Sequence, residues 1–135
     1  MSRIEHLAFW TEDLERLADF YGKYFGAIAG DKYVNPTKGF ESRFLNFEGG
    51  AREGGARIEV MKTSTLSPVK HERGAQRMGL AHLAVSVGSA QSVDRLTNRL
   101  KQDGFEIVDG PRHTGDGYYE SVVLDPDGNR VEITV

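Results

Sequence analysis

Two stretches of the chain share a pattern of alternating apolar and polar residues that carries one histidine. Arg3-Ile4-Glu5-His6-Leu7-Ala8-Phe9 is matched in the second half by Gly79-Leu80-Ala81-His82-Leu83-Ala84-Val85. Further along, Arg57-Ile58-Glu59-Val60 is matched by Arg130-Val131-Glu132-Ile133, at nearly the same spacing. Recurrence of two separate markers at one spacing predicts an internal repeat, in the order His, Glu, His, Glu.

The first half predicts a strand, a helix and then three strands. Alternation in the first strand turns Leu7 and Phe9 to one side and His6 to the other. Thr11 is the predicted N-cap of the following helix, and Gly26 its end. Apolar positions recur at helical spacing between them, at Leu14, Leu17, Ala18, Tyr21, Tyr24 and Phe25. Strands are expected over 27–34, 40–48 and 56–62, with a Pro- and Gly-containing turn at 35–39.

The second half repeats this plan. A strand over 79–87 leads to a helix over 89–103 that Gly104 stops, and strands follow over 105–109, 117–124 and 129–135. The apolar helix positions are Ala90, Val93, Leu96 and Leu100. Each half therefore reads β-α-β-β-β, which predicts an α+β fold. We expect one domain over 1–135, made of a module at 1–62, a connector at 63–78 and a module at 79–135.

Alternation also gives the direction of the recurring side chains. Ile58 and Val60 take the core side of their strand, as Val131 and Ile133 do in theirs. The side of these strands opposite the core carries His6, Glu59, His82 and Glu132. If the two halves curve around a shared space, two imidazoles and two carboxylates converge there. This donor set suits a first-row divalent ion, with Ni²⁺ or Zn²⁺ first and Fe²⁺, Co²⁺ or Mn²⁺ as alternatives, and it leaves one or two positions for water or substrate.

Two irregular segments allow alternative interpretations. Gly-Gly-Ala-Arg occurs twice in 49–57, which favours a lengthened hairpin loop; a phosphate-cradling loop would need a Lys-Ser/Thr ending and a following helix. The connector 63–78 reads as a solvated linker. Alternatively, one of its cations, Lys70, His71, Arg73 or Arg77, holds an anionic substrate group.

Composition excludes several classes of function. The 135 residues are 39% hydrophobic and 27% charged, and no apolar run approaches the roughly twenty residues of a membrane span. The net charge of −3 gives no general attraction to nucleic acid. Absence of cysteine excludes disulfides and thiolate sites and fits the cytoplasm, where we expect the protein. The N-terminus also lacks the apolar core of a signal peptide.

Together these motifs resemble the vicinal oxygen chelate superfamily, and within it the glyoxalase I-like proteins (glyoxalase/bleomycin resistance/dioxygenase). The resemblance covers the whole chain. It rests on the paired modules and on Ile4-Glu5-His6-Leu7-Ala8, Phe20-Tyr21, Phe25-Gly26, Gly79-Leu80-Ala81-His82-Leu83-Ala84 and Asp125-Pro126-Asp127-Gly128-Asn129-Arg130-Val131-Glu132. It implies curved mixed sheets around a central cleft, with one divalent metal per site.

The family's ligand positions fall on His6, Glu59, His82 and Glu132. The resemblance also implies a homodimer in which His6 and Glu59 of one subunit meet His82 and Glu132 of its partner. A substrate with two adjacent oxygens then chelates the metal, which stabilises an enediolate as a proton leaves the neighbouring carbon. Glu132 is the first candidate for the base and Glu59 the second. The implied reaction converts a 2-oxoaldehyde adduct to a 2-hydroxyacyl compound, as an isomerase or lyase of lactoylglutathione lyase type.

The sequence departs from glutathione-using members at two positions. Where these carry Arg and Asn to hold a glutathione carboxylate, this chain has Trp10 and Thr63. Without that Arg there is no bidentate clamp for the carboxylate, so a substrate other than the glutathione hemithioacetal is expected. Trp10 is predicted to wall the substrate pocket, or else to be ordinary core. Tyr118 and Tyr119, in a Gly-bounded loop, are predicted to form a second wall, and His113 to lie at the surface.

Other functions of the same fold remain open at this point. A ring-cleaving Fe(II) dioxygenase or a fosfomycin-modifying transferase would use two His and one Glu, and neither would need Glu59. A non-catalytic module that binds a small molecule or antibiotic would not need the four intact positions.

Overall fold

The structure, a computed structural model, describes residues 2–48, 55–67 and 72–135. The chain divides into two compact units, Met1–Val69 and Lys70–Val135, and each unit has one helix and one mixed sheet. The predicted α+β class with two similar modules is confirmed. Within the described residues, no helix has the length and apolar character that crossing a membrane requires.

The first unit has one strand more than the sequence predicts. Its elements are β1 His6–Trp10, α1 Leu14–Phe25, β2 Ile28–Ala29, β3 Tyr33–Asn35, β4 Phe40–Asn46 and β5 Arg57–Thr63. The strand predicted over 27–34 is divided into β2 and β3, which both pair antiparallel with β4. The sheet has the order β1-β5-β4-β2, and β1 runs parallel to β5.

Helix α1 begins and ends at identifiable caps. Asp13 is the N-cap, because its carboxylate accepts a hydrogen bond from the Arg16 backbone N–H. The prediction that Thr11 is the N-cap was wrong, because Thr11 lies two residues before it. Its hydroxyl accepts a hydrogen bond from the backbone N–H of Asp13. Gly26 ends the helix as predicted, at a left-handed φ of 69° that favours glycine.

One face of α1 forms most of the core of the first unit. The buried helix residues are Leu14, Leu17, Ala18, Phe20, Tyr21 and Tyr24. They lie on the side of the sheet that carries Leu45, Ile58 and Val60, which are at most 2% exposed. Each such apolar side chain stabilises the fold by roughly 1.5–3 kcal/mol, so this face fixes which side of the sheet the helix covers.

The second unit shows the predicted β-α-β-β-β order. Its elements are β6 Leu83–Ser86, α2 Ala90–Gln102, β7 Ile107–His113, β8 Tyr119–Leu124 and β9 Arg130–Thr134. The sheet order is β6-β9-β8-β7, with β6 parallel to β9 and the other pairs antiparallel. Strand β6 is shorter than the predicted 79–87. It begins at Leu83, so His82 lies directly before it. Strand β7 is longer than the predicted 105–109.

Helix α2 packs on its sheet partly through a polar contact. Its buried residues are Val93, Thr97 and Leu100, whereas Ala90 is exposed and Leu96 half-buried. The Thr97 hydroxyl lies 2.6 Å from the Val93 carbonyl oxygen and 2.6 Å from the Ser121 hydroxyl on β8. Both buried hydroxyls therefore have hydrogen-bond partners, which removes most of the cost of burying them.

A fully buried carboxylate holds the turn before β9. The Asp125 carboxylate accepts hydrogen bonds from the Asp127 and Asn129 backbone N–H groups and from the Asn129 side-chain amide, each at 2.9 Å. This turn sets where β9 begins and therefore the register in which Glu132 meets its neighbours. The turn predicted at Asp125-Pro126-Asp127-Gly128 is confirmed.

We expect Asp125→Ala to lower the free energy of unfolding by about 2–3 kcal/mol, because three donors in a buried turn lose their acceptor. Asp125→Asn keeps one acceptor oxygen and should cost about half as much. Asp127→Ala, at an exposed position of the same turn, is the matched control. Urea unfolding followed by circular dichroism measures all three, and equal midpoints for Asp125→Ala and Asp127→Ala would contradict this role.

Candidate metal centre

The first unit brings one imidazole and one carboxylate together on the open face of its sheet. The His6 Nε2 atom lies 3.7 Å from Oε2 of Glu59. The His6 side chain is 39% exposed and the Glu59 side chain 17%. Both point away from the helix, as the alternation of β1 and β5 predicts.

The second unit repeats this arrangement. The His82 Nε2 atom lies 3.3 Å from Oε2 of Glu132, and the side chains are 44% and 15% exposed. In both pairs the atoms are further apart than in an ordinary N–H···O hydrogen bond. The two members of each pair therefore face one another without a tight direct bond.

Strand register explains why the two pairs are alike. Parallel pairing places Glu59 opposite Ala8 and Glu132 opposite Ala84, so each histidine is the diagonal neighbour of its glutamate. Diagonal neighbours in a sheet lie within reach of long side chains.

The His6 ring also contacts Glu5 and Phe44. Its Nδ1 atom is hydrogen-bonded to the Glu5 carboxylate, which also accepts from the Arg57 guanidinium. The ring packs edge-on against Phe44, with centroids 5.4 Å apart. The hydrogen bond from His6, followed by the one from Arg57, lowers the pKa of Glu5 below its ordinary value against an opposing desolvation effect. The sequence reasoning missed Glu5, since strand alternation directs it away from His6.

A second carboxylate lies beside Glu132. Val122 of β8 is directly opposite Glu132, and Glu120 lies two positions away on the same face. Burial, followed by a hydrogen bond shared with Glu132, raises the pKa of Glu120. The sequence reasoning also missed Glu120, although alternation within the predicted strand 117–124 already placed it on this face.

Aromatic residues extend the open face of the first sheet. Trp10 is 49% exposed and packs edge-on against Phe40, with centroids 6.2 Å apart, and Phe40 in turn contacts Tyr33 at 6.1 Å. Trp10 is therefore not ordinary core. Thr63 lies opposite Phe40 at the end of β5, with its hydroxyl 3.2 Å from that of Thr65.

The two tyrosines predicted as a second wall point differently. Tyr118 is exposed, in the turn before β8. The Tyr119 hydroxyl donates to the Asp94 carboxylate of α2 at 2.6 Å, and this hydrogen bond raises the pKa of the phenol. Tyr119 therefore lies on the helix side of the sheet, and the structure does not bring it to the face of Glu132. His113 is at the surface, with its ring 4.8 Å from that of Tyr119.

The connector is partly attached to the second unit. The exposed Arg73 donates to the backbone carbonyls of Asp125 and Pro126, at 2.9 and 3.0 Å, so its guanidinium is attached to the turn before β9. Arg77 is exposed. Lys70 and His71, and residues 49–54 of the glycine-rich segment, lie outside the described residues.

In each unit, one histidine nitrogen and one glutamate oxygen lie close enough to be compared with two ligands of a single divalent ion. Two ligand atoms about 2.1 Å from one ion lie about 3.0–3.4 Å apart at tetrahedral or octahedral angles. The His82–Glu132 distance of 3.3 Å falls within this range, and the His6–Glu59 distance of 3.7 Å exceeds it slightly. In the portion of the chain described, no group of three or more His, Asp or Glu side chains has an arrangement that could hold a metal ion. Each unit thus offers one nitrogen and one oxygen donor.

Comparison with known proteins identifies the family to which the chain belongs. The sequence of residues 3–133 matches the family model of the Glyoxalase/Bleomycin resistance protein/Dioxygenase superfamily. The chain is 28% identical over 133 residues to the uncharacterized protein YqjT of Bacillus subtilis (strain 168), covering 96% of both chains.

Two solved structures share the fold. Glyoxalase I from Zea mays superposes with a TM-score of 0.77 at 24% identity, over 98% of this chain and 44% of the maize chain. The trypanothione-dependent glyoxalase I of Leishmania major gives a TM-score of 0.75 at 22% identity, over 99% of this chain and 86% of that one. This chain spans less than half the length of the maize protein. By its match over nearly its whole length, the chain belongs to the glyoxalase/bleomycin resistance protein/dioxygenase superfamily.

Proposed function

We propose that this chain is a metal-dependent lyase or isomerase of glyoxalase I type, acting on a small substrate with two adjacent oxygens. The observation that carries the proposal is the repeated His–Glu pair, set in the same strand register on the open face of both sheets. A module that only binds a small molecule has no need of the same pair twice. The fold shared with glyoxalase I enzymes supports this assignment.

The proposed ligands are His6, Glu59, His82 and Glu132. Ni²⁺ or Zn²⁺ is the first choice for this nitrogen and oxygen donor set, and Fe²⁺, Co²⁺ or Mn²⁺ are alternatives. We infer a homodimer in which His6 and Glu59 of one subunit act with His82 and Glu132 of the partner subunit. Each chain holds one complete set of donors, so a symmetric dimer can build two sites of this kind.

Glu132 is the proposed base. Its carboxylate accepts the proton from the hydroxyl-bearing carbon of the substrate and returns it to the neighbouring carbonyl carbon. The hydroxyl proton passes to the former carbonyl oxygen, so the two carbons exchange oxidation levels with no external oxidant. Glu59 is the second candidate, acting from the opposite face. A bound divalent ion would supply Lewis-acid stabilisation of the negative charge on the substrate oxygens.

The surroundings of Glu59 favour a substrate with an apolar group. Trp10 lies two residues beyond Ala8, and Phe40 lies opposite Thr63, so both present aromatic surface along the same sheet face. Thr63 cannot supply the charge that a glutathione carboxylate would need. The hemithioacetal of an apolar thiol fits this surface better than that of glutathione.

We expect Glu132→Gln to lower kcat by about 100-fold or more, because the amide cannot accept the substrate proton. The assay follows methylglyoxal with benzyl mercaptan, and elemental analysis follows the bound metal, which should be largely retained. Glu59→Gln is the matched control, with a smaller loss expected if Glu59 is the secondary base. Unchanged turnover in Glu132→Gln would remove it as the base, and binding without turnover by the native protein would favour a binding module.

We expect Trp10→Ala to lower kcat/KM for the benzyl mercaptan adduct by roughly tenfold, mainly through KM, since about 1.5 kcal/mol of aromatic contact is lost. Activity on the glutathione adduct should be low in the native protein and nearly unchanged in the variant. Val34→Ala removes an exposed apolar side chain from the opposite face of the same sheet and serves as the control. Efficient use of glutathione by the native protein would contradict the aromatic-surface assignment.

A further inference from the structure

The carboxylate of Glu5 bonds two side chains of the first half-site at once. It accepts from Nδ1 of His6 and from the guanidinium of Arg57. The Arg57 backbone N–H also donates to the Glu5 carbonyl oxygen at 3.0 Å, so Glu5 is tied to β5 by main chain and side chain. The position of its carboxylate therefore follows the strand that carries Glu59.

The hydrogen bond to Nδ1 determines which ring nitrogen can bind a metal. A neutral imidazole carries its proton on one nitrogen and presents a lone pair on the other. With the proton on Nδ1, donated to Glu5, the lone pair lies on Nε2. This is the atom that faces Glu59 at 3.7 Å.

Arg57 and Phe44 stabilise this arrangement from the sheet. The guanidinium lies over the Phe44 ring at 3.9 Å, within cation–π range, and the His6 ring packs edge-on against the same phenyl group. The imidazole is thus held by a charge-assisted hydrogen bond on one nitrogen and an aromatic contact on its edge.

The second unit differs at the position before its histidine. Ala81 precedes His82, so no carboxylate occupies the position of Glu5. Arg130, which corresponds to Arg57, donates instead to the carbonyl oxygen of Gly74 at 3.0 Å. The shared His–Glu pair is therefore supported differently in the two modules.

We propose that Glu5, held by Arg57, is a positioning residue that fixes His6 in the Nδ1-protonated tautomer and presents Nε2 as the ligand atom. The inference rests on the proposed metal site, where hydrogen bonds to the non-ligating ring nitrogen orient histidines and strengthen binding. It predicts that His6 carries its proton on Nδ1 before any metal is bound.

Nitrogen-15 NMR of the histidine rings in the metal-free protein at about pH 8, where free imidazole is neutral, tests this directly. We expect His6 to carry its proton on Nδ1 in the native protein and to shift to Nε2 in Glu5→Ala, while the His82 signals stay unchanged. Glu5→Gln keeps an acceptor oxygen and should retain most of the Nδ1 form. Glu12→Ala, at an exposed position, is the control.

Zinc titration supplies the second measurement. The dissociation constant of Glu5→Ala should rise about 10–100-fold, with partial rescue in Glu5→Gln. A native His6 protonated on Nε2, a tautomer unaffected by Glu5→Ala, or equal zinc affinities would each overturn the inference. If the native protein bound none of Zn²⁺, Ni²⁺, Fe²⁺, Co²⁺ or Mn²⁺, the proposed function would fail, and the tautomer in the metal-free protein would still decide the role of Glu5.

Discussion

The parallel pairing of the first and last strand in each module is the constraint on which the site depends. It places Glu59 opposite Ala8 and Glu132 opposite Ala84. A shift of one residue would turn each glutamate into the core and its apolar neighbours out to the open face. Burial of Ile58, Val60, Val131 and Ile133 opposes such a shift, so the energy that fixes the donors comes from apolar packing on the other side of the sheet.

Around this shared geometry the two modules have diverged. Glu59 has Phe44 directly opposite it, and Glu132 has Val122. Trp10 and Phe40 add aromatic surface to the first face, whereas Glu120 adds a carboxylate beside Glu132 in the second. The same donor pair thus has aromatic neighbours in the first unit and an additional carboxylate, Glu120, in the second.

The sequence correctly predicted the features of the fold that depend on the periodicity of apolar residues and on the internal repeat. The directions of His6 and Glu59, the core face of α1 and the glycine end at Gly26 follow from spacing that the backbone enforces. The contact between the neighbouring residues Glu5 and His6 was missed, because strand alternation assigns them to opposite faces. Glu5 lies before β1, so its side chain does not follow that alternation and reaches Nδ1 of His6. Tyr119 was assigned to the substrate wall from its neighbourhood in the chain, whereas its strand phase and Asp94 hold it on the helix side.

In the proposed homodimer, the two His–Glu pairs are halves of one metal site shared between two chains. Elemental analysis of a co-refolded mixture of two inactive chains, His6→Ala/Glu59→Gln and His82→Ala/Glu132→Gln, tests it most directly. Native protein should bind about one ion per chain and each double variant almost none, while random mixing should restore about one quarter of the sites, because each heterodimer pairs two intact halves at one site. Full metal content in either double variant, or no recovery on mixing into heterodimers, would contradict the account.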